Sequence, residues 1–199
     1  VNNLKIYNNF NLGRKDKGSI ILIGNFDGLH KGHQKLFNKA RNFKKKYKLK
    51  IGVVTFDPIP KMFFRKLYNY RLSNFDQKIY LLKKNKVDFI INKKFNAKFS
   101  KITCFDFIKK ILFKKIGPRY IFVSDNFRFG YKRAGDIKLL KSLEKDYHYK
   151  IINPSPLKSK KSVISSTLVR KNLETGNLKK VKKFLGRNWC IEGRVEKGR

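Results

Sequence analysis

The chain has 199 residues, 41% of them apolar, and a formal charge of +37. This length suits one large domain, or one domain with a small appendage, and the apolar fraction is enough for a sizeable core. No apolar run is long enough to span a membrane and the N-terminus has no signal-peptide pattern, so we expect a cytoplasmic protein with no membrane partner. Cys104 and Cys190 lie far apart without a CxxC motif, which predicts free thiols.

The extreme charge leaves three interpretations open. In the first, genome drift towards A/T-rich codons has enriched the chain in lysine, and these lysines lie on solvated helix faces. A nucleic-acid footprint is the second, and modest attraction of small anionic substrates is the third. The lysines are spread along the whole chain, which favours the first interpretation over a nucleic-acid partner.

Short apolar runs alternate with segments of helical spacing along the chain. In order, the pattern predicts a strand at 4–7, a strand at 20–23, a helix at 34–47, a strand at 49–55, a helix with Ser73 as N-cap, a strand at 87–91, a helix at 103–113, a strand at 120–123, a helix at 136–145, a strand at 149–152, helices at 167–174 and 178–185, and a strand at 189–195. This alternation favours an α/β fold: a parallel sheet with helices on both faces.

Four unusual loops follow the predicted strands, at 24–33, 55–60, 124–136 and 154–167. In open parallel sheets, ligands bind beyond the carboxyl ends of the strands. We therefore expect the four loops to meet at one edge of the sheet.

The first loop, GNFDGLHKGH at 24–33, contains two of the three histidines. A strand, a glycine-rich turn and a helix start make an anion site, and His30 and His33 are spaced to share a helix face. Gly32 would let the backbone approach a phosphate, while imidazole N–H groups could donate to phosphate oxygens. A zinc pair, which needs further ligands, and a coincidental surface pair are the alternatives.

The later loops add polar and aromatic groups. Ser166 and Thr167 stand at a helix start, where capping is their ordinary role, and Arg170 follows one turn later as a possible bidentate clamp on a triphosphate. The loop NFRFG at 126–130 and the phenylalanines near 58–60 could stack on a flat ring, or could only be packed loop residues.

These stretches together resemble one family. The segments GNFDGLHKGH, TFDPIP (55–60), VSDNFRFGYKRAGD (123–136) and ISSTLVR (164–170) resemble, in order and spacing, the motifs of the FAD synthetase module of bacterial bifunctional riboflavin kinase/FMN adenylyltransferases. The resemblance covers nearly the whole chain. It implies a Rossmann-like nucleotidyltransferase fold and transfer of AMP from ATP to FMN, giving FAD and pyrophosphate.

The resemblance also implies site residues. The catalytic residues would be His30, His33 and Arg170. ATP would contact Gly24, Phe26, Gly28, His30, Gly32, His33, Ser166, Thr167 and Arg170. Flavin would be bordered by Phe56, Pro58, Phe64, Asn126 and Phe129. The family uses Mg²⁺ with ATP, but we predict no metal held by the protein, and we expect Asp27 to brace the turn.

Two departures from the family pattern affect the site. Ile59 stands where histidine is usual, which removes a polar group near the reacting phosphates, and Ser124 stands where glycine is usual. At the other end, 184–189 resembles the junction between modules and 193–199 the first strand of the kinase β-barrel. This predicts an adenylyltransferase domain at 1–186, a linker and truncated barrel start at 187–199, and no riboflavin kinase activity in this chain.

Two other functions stay open on the sequence alone. HxGH also fits a nucleotidyltransferase that uses another phosphorylated acceptor, and the charge together with Ile59 fits a non-catalytic nucleic-acid-binding relative. As partners we expect ATP and FMN, with the chain a monomer or weak oligomer.

Overall fold

The computed structural model of the protein describes residues 4–65, 67–160, 162–193, 195 and 198. Six parallel strands form its main sheet, in the spatial order β1-β4-β3-β2-β5-β6. Their bounds are β1 Lys5–Tyr7, β2 Ile20–Ile23, β3 Ile51–Asp57, β4 Phe89–Lys94, β5 Tyr120–Phe122 and β6 Lys150–Ile152. The predicted parallel α/β sheet is confirmed.

Helices and a hairpin complete the fold. The helices are α1 Lys31–Tyr47, α2 Pro60–Phe64, α3 Phe75–Lys84, α4 Ala97–Ser100, α5 Cys104–Asp106, α6 Ile137–Ser142, α7 Ser166–Glu174 and α8 Leu178–Leu185. A π-helix, Phe107–Ile116, continues α5. Strands β7 Lys158–Ser159 and β8 Ser162–Val163 pair as a hairpin inside the loop that the sequence predicts at 154–167.

The sheet is buried on both faces, as a parallel sheet requires. Alternate residues of β2 divide between two cores. Ile21 and Ile23 pack on the side of the π-helix and α6, whereas Ile20 and Leu22 pack on the side of α1 and α3. The short continuous apolar run that predicted a buried strand thus supplies both cores at once.

Two local predictions are corrected. Asn74, not Ser73, caps α3, because the Asn74 side chain accepts from the Gln77 amide while Gln77 Oε1 accepts from the Asn74 amide. The Ser73 hydroxyl instead accepts from the Gly28 amide. Strand β3 continues to Asp57, which pairs with Lys94, so the chain leaves the sheet only at Pro58.

The segment after α8 packs back onto the domain. The Arg187 guanidinium donates to the Gly28 carbonyl at 2.9 Å, and the Trp189 indole donates to the Leu72 carbonyl at 2.8 Å. In the described part of 189–195 no strand forms, so the strand predicted there is corrected. Residues 194, 196, 197 and 199 of the predicted barrel start lie outside the described residues.

Candidate active site

The four loops meet at the carboxyl edge of the sheet, as the topology predicts. They enclose a groove with two compartments, the first of about 910 Å³ and the second of about 600 Å³. The compartments share a wall made of Ile23, Gly24, Asn25, Asp27, Asn126 and Ser166. Two ligands placed in these compartments would therefore approach each other at this wall.

The first compartment is aromatic with a basic rim. Its phenylalanines come from several loops and helices and are Phe56, Phe64, Phe95, Phe99, Phe107, Phe127 and Phe129. The basic residues on its lining are Lys61, Arg65, Arg128, Lys132, Arg133 and Arg170. Such a lining suits a flat aromatic ligand that carries negative charge.

The second compartment lies between the turn at 24–33, which we call the phosphate turn after its predicted role, and the loop at 154–167 that contains the hairpin. It is lined by His30, Gly32 and His33 on one side, and by 154–157 and 163–166 on the other. The N-terminal ends of α1 and α7 both lie on this lining, so free backbone N–H groups and two helix dipoles favour an anion there.

The turn is shaped by positive backbone angles. Phe26 has φ +47°, and its buried ring packs against the rings of Phe37 and His33. Gly28 has φ +74°, and a Cβ there would lie 2.9 Å from the Leu72 side chain. Gly32 also has no room for a side chain, since a Cβ would lie 2.9 Å from the Ile164 carbonyl. Gly32 thus brings α1 against the hairpin end, in addition to the phosphate approach that the sequence suggests.

The two histidines are stacked and uncharged. Their ring centroids lie 3.7 Å apart, and His30 Nδ1 accepts from the His33 amide, which leaves Nε2–H as the donor of the His30 ring. Burial, together with the Arg170 charge, lowers the pKa of His30 to about 4. Burial lowers the pKa of His33 well below its usual value, and the neighbouring His30 and Lys78 add to this effect. Both rings are neutral N–H donors at pH 7.

This neutral state makes stability depend on pH. His30 has a pKa of about 4 in the folded chain against 6.5 unfolded, so its contribution is complete above about pH 6.5 and is lost as the pH falls towards 4. We expect it to reach about 3 kcal/mol, at about 1.4 kcal/mol per pKa unit. His30→Asn keeps an N-capping acceptor. Urea unfolding at pH 7, 5.5 and 4.5 should therefore show a flatter pH dependence for this variant than for the parent.

The matched control for that experiment is His148→Asn. His148 is exposed and has a positive φ that asparagine tolerates. This variant should keep the parent's pH dependence, and an identical pH dependence in all three proteins would contradict the assignment to His30.

Asp27 is the central brace of the turn. Its carboxylate accepts from the Leu72 and Ser73 amides and pairs with the Arg170 guanidinium. The side chains of this pair are only 3% and 13% exposed. The expected bracing role of Asp27 agrees with these contacts.

Arg170 is engaged inside the protein, which leaves only part of its guanidinium for the bidentate clamp that the sequence suggests. Its Nε donates to the Tyr70 carbonyl, its Nη2 to Asp27, and its guanidinium lies 3.7 Å from the centre of the Tyr70 ring. Among the described residues, Nη1 has no hydrogen-bond partner. Arg170 still lines the first compartment, so this nitrogen is the one that remains for a substrate oxygen.

The start of α7 is fixed to the same turn. Ser165 caps the helix through the Leu168 amide, and the Ser166 hydroxyl donates to the Asp27 carbonyl at 2.9 Å. Thr167 lines the first compartment beside them. The two halves of the predicted phosphate site, 24–33 and 165–170, are therefore in direct contact.

Most of the predicted site residues lie on the groove. Those on the lining are Gly24, Phe26, His30, Gly32, His33, Phe56, Phe64, Asn126, Phe129, Ser166, Thr167 and Arg170. Gly28 and Pro58 line neither compartment. The amide of Gly28 is bonded to Ser73, and the two residues after Pro58 are on the lining of the first compartment.

The two departures from the family pattern are both visible here. Ile59 is buried and gives the first compartment an apolar wall. The Ser124 hydroxyl donates to Asn126 Oδ1 at 3.0 Å and so orients a side chain of the shared wall.

Tyr70 and Lys78 contact the site but are absent from the site residues predicted from the sequence. Tyr70 follows a loop without a periodic pattern, so nothing local marks it. Lys78 is different: it stands three residues after Phe75 and four before Leu82, on the buried stripe of α3. A lysine in an apolar stripe is a signal that the sequence does offer.

The described side chains of this site offer few ligands for a metal ion. Among the described residues there is no group of three His, Cys, Asp or Glu side chains that could hold an ion. The nearest carboxylate, that of Asp27, is already occupied by two amides and Arg170.

Comparison with known proteins decides the family. The family model for FAD synthetase matches residues 12–168. The chain belongs to the FAD synthetase family. It is 40% identical to the bifunctional riboflavin kinase/FMN adenylyltransferase of Buchnera aphidicola over 94% of its own length. It spans about 60% of the length of that relative.

Solved structures agree with the fold of this FAD synthetase family member. The crystal structure of a macrolide-efflux protein from Streptococcus pneumoniae has a TM-score of 0.81 at 27% identity, covering 94% of this chain and 72% of that one. The pantoate-beta-alanine ligase of Francisella tularensis has a TM-score of 0.52 at 19% identity, covering 94% and 80%, which supports the Rossmann-like fold alone. In the described part of the chain, no helix is long and apolar enough to cross a membrane.

Proposed function

We propose that this chain transfers the AMP group of ATP to FMN, giving FAD and pyrophosphate. An FMN phosphate oxygen attacks the α-phosphorus of ATP, and the bond from that phosphorus to the oxygen bridging to the β-phosphorus breaks as pyrophosphate leaves. The observation that carries the proposal is the wall shared by an aromatic compartment and a compartment lined by two helix N-termini and two histidines. It would bring two different phosphates together.

Each compartment suits one substrate. The aromatic, basic-rimmed compartment suits the isoalloxazine ring and ribityl phosphate of FMN. The compartment between 24–33 and the hairpin loop suits MgATP, because two helix N-termini and neutral imidazole donors face it. Mg²⁺ enters in this proposal as part of the nucleotide substrate, neutralising charge on the phosphates.

The chain's own residues then work by positioning and by stabilising charge. His30 and His33 donate N–H bonds as negative charge builds on the phosphates, without changing their own protonation. Ser166, Thr167 and Arg170 hold the phosphates from the opposite side. No covalent intermediate on the protein is needed, because orientation of two bound substrates can supply much of the rate enhancement.

The proposal is tested by mixing the protein with FMN, ATP and Mg²⁺ and following FAD by chromatography. Parallel reactions replace FMN with riboflavin or with phosphopantetheine, which separates this activity from that of another nucleotidyltransferase. FAD from FMN alone is the expected result. Absence of FAD at every salt concentration, together with salt-sensitive binding to RNA or DNA, would instead favour the non-catalytic interpretation. The cytoplasmic location and the monomeric or weakly associated state stay predictions.

Phe64 offers a local test of the flavin compartment. Its side chain is 66% exposed at the mouth of the groove, against the Phe95 ring. Removing it costs little packing inside the protein but takes away an aromatic contact with the ligand. We expect Phe64→Ala to weaken FMN binding about three- to tenfold, as one aromatic pair would, measured by quenching of flavin fluorescence. Tyr68→Ala, 88% exposed and off the lining, should leave binding unchanged; equal affinities for all three proteins would exclude Phe64 from the site.

A further inference from the structure

Lys78 is a buried cation beneath the groove. It is only 5% exposed, and among the described residues it is the only lysine that is buried. Lys78 points from α3 towards the edge of the sheet where the phosphate turn begins.

Its contacts lead directly to that turn. Nζ donates to Thr55 Oγ1 at 3.4 Å, and the fully buried Thr55 hydroxyl donates to the Asn25 carbonyl at 3.3 Å. Asn25 belongs to the wall shared by the two compartments. Lys78 does not line either compartment, so it acts on the groove through Thr55 and the turn.

The charges around Lys78 do not cancel. Asp27 is paired with Arg170, and Asp57 with Arg71. The two carboxylates and the two guanidinium groups balance each other in charge. The ammonium of Lys78 therefore gives this group of five side chains one net positive charge. Burial lowers the pKa of Lys78 and Arg71 adds to that effect, while Asp27 and Asp57 oppose it. The same ammonium is close enough to His33 to lower the pKa of that imidazole.

A buried charge without a partner is unfavourable unless something compensates it. The described side chains give Lys78 one hydrogen bond, to a neutral hydroxyl. An anion bound at the shared wall would supply the missing negative charge, and it would do so in a region where low dielectric strengthens the attraction.

We propose that Lys78 is a positioning residue for a nucleotide's phosphate chain, holding the Asn25 turn through Thr55 and compensated only when an oligophosphate binds. The identity of the nucleotide rests on the function proposed above. The electrostatic argument itself requires only a chain of phosphates, so pyrophosphate is a sufficient probe.

The test compares Lys78→Met with Lys83→Met. Both remove one charge from α3, but Lys83 is exposed. Binding of pyrophosphate with Mg²⁺ is measured by calorimetry, the melting temperature without ligand by circular dichroism, and KM separately for ATP and FMN. We expect Lys78→Met to weaken pyrophosphate binding and raise the KM for ATP about tenfold or more. The KM for FMN should stay within about twofold, and the melting temperature should be unchanged or higher.

Other outcomes overturn the proposal. Unchanged pyrophosphate affinity in a folded Lys78→Met protein would do so, as would a lower melting temperature with both KM values raised alike, since that marks a purely structural role. If Lys78→Met does not fold, Thr55→Val interrupts the same relay with little change in volume. It should weaken pyrophosphate but not FMN binding, and equal binding would reject the relay. A parent protein that binds pyrophosphate but makes no FAD would count against the proposed function. The role of Lys78 in phosphate binding would still be decided by the pyrophosphate affinities of these variants.

Discussion

Replacing His30 by alanine is expected to lower the rate of FAD formation by about 100-fold or more. The ring is held by its bond from the His33 amide and by stacking on His33, so Nε2–H is fixed before substrate binds. Loss of one such preorganised donor typically costs two to three powers of ten in turnover. The measurement is kcat at saturating FMN and MgATP.

Alanine also removes the N-cap of α1, which by itself costs about 1 kcal/mol of stability. His30→Asn separates the two effects. It keeps a capping acceptor and should retain most of the parent's stability, but its shorter amide should not restore the rate. His148→Asn is again the control, and its kcat should equal that of the parent. A His30→Ala protein with the parent's turnover would remove His30 from the mechanism.

Changing Asp27 to asparagine is expected to lower the free energy of unfolding by about 3 kcal/mol or more. The substitution keeps the shape of the side chain but leaves the Arg170 guanidinium buried without its carboxylate, and breaking a buried pair from one side typically costs 3–5 kcal/mol. Lys78 adds to the penalty, because Asp27 is one of the two carboxylates near it. Urea unfolding at pH 7 measures the change.

The double variant Asp27→Asn/Arg170→Met shows how much of the lost stability comes from the unpaired charge of Arg170 and how much from the lost bracing of the turn. With both charges removed, part of the lost stability should return, while FAD formation should stay low because Arg170 lines the groove. Asp106→Asn is the matched control, since its pair with Lys110 is exposed and should contribute less than about 1 kcal/mol. A loss equally small for Asp27→Asn would show that the brace is dispensable.

The sheet and the meeting of the loops follow from local patterns. Ile20–Ile23 is short, branched and apolar throughout, and a strand buried on both faces needs such a run. Once strands alternate with helices, the carboxyl edge gathers every loop that follows a strand. This is why the sequence alone places His30, Asn126 and Ser166 at one groove.

The contacts that set the chemistry could not be read in the same way. The Asp27–Arg170 pair joins residues 143 positions apart, and the Gly28–Ser73 bond spans 45 positions. Neither leaves a periodic trace in the sequence. The sequence predicts the cap of α3 one residue too early because Ser73 and Asn74 are both good caps, and only the distant amide of Gly28 decides between them.

The hydrogen bond from Trp189 to Leu72 also makes the intrinsic fluorescence of the protein a local probe. Trp189 is the only tryptophan of the chain, and its half-buried indole donates to the carbonyl of the same residue whose amide holds Asp27. Tryptophan emission follows the polarity and hydrogen bonding of the indole. Fluorescence from this single ring therefore reports on the brace behind the phosphate turn, with no label added and no other tryptophan to obscure the signal.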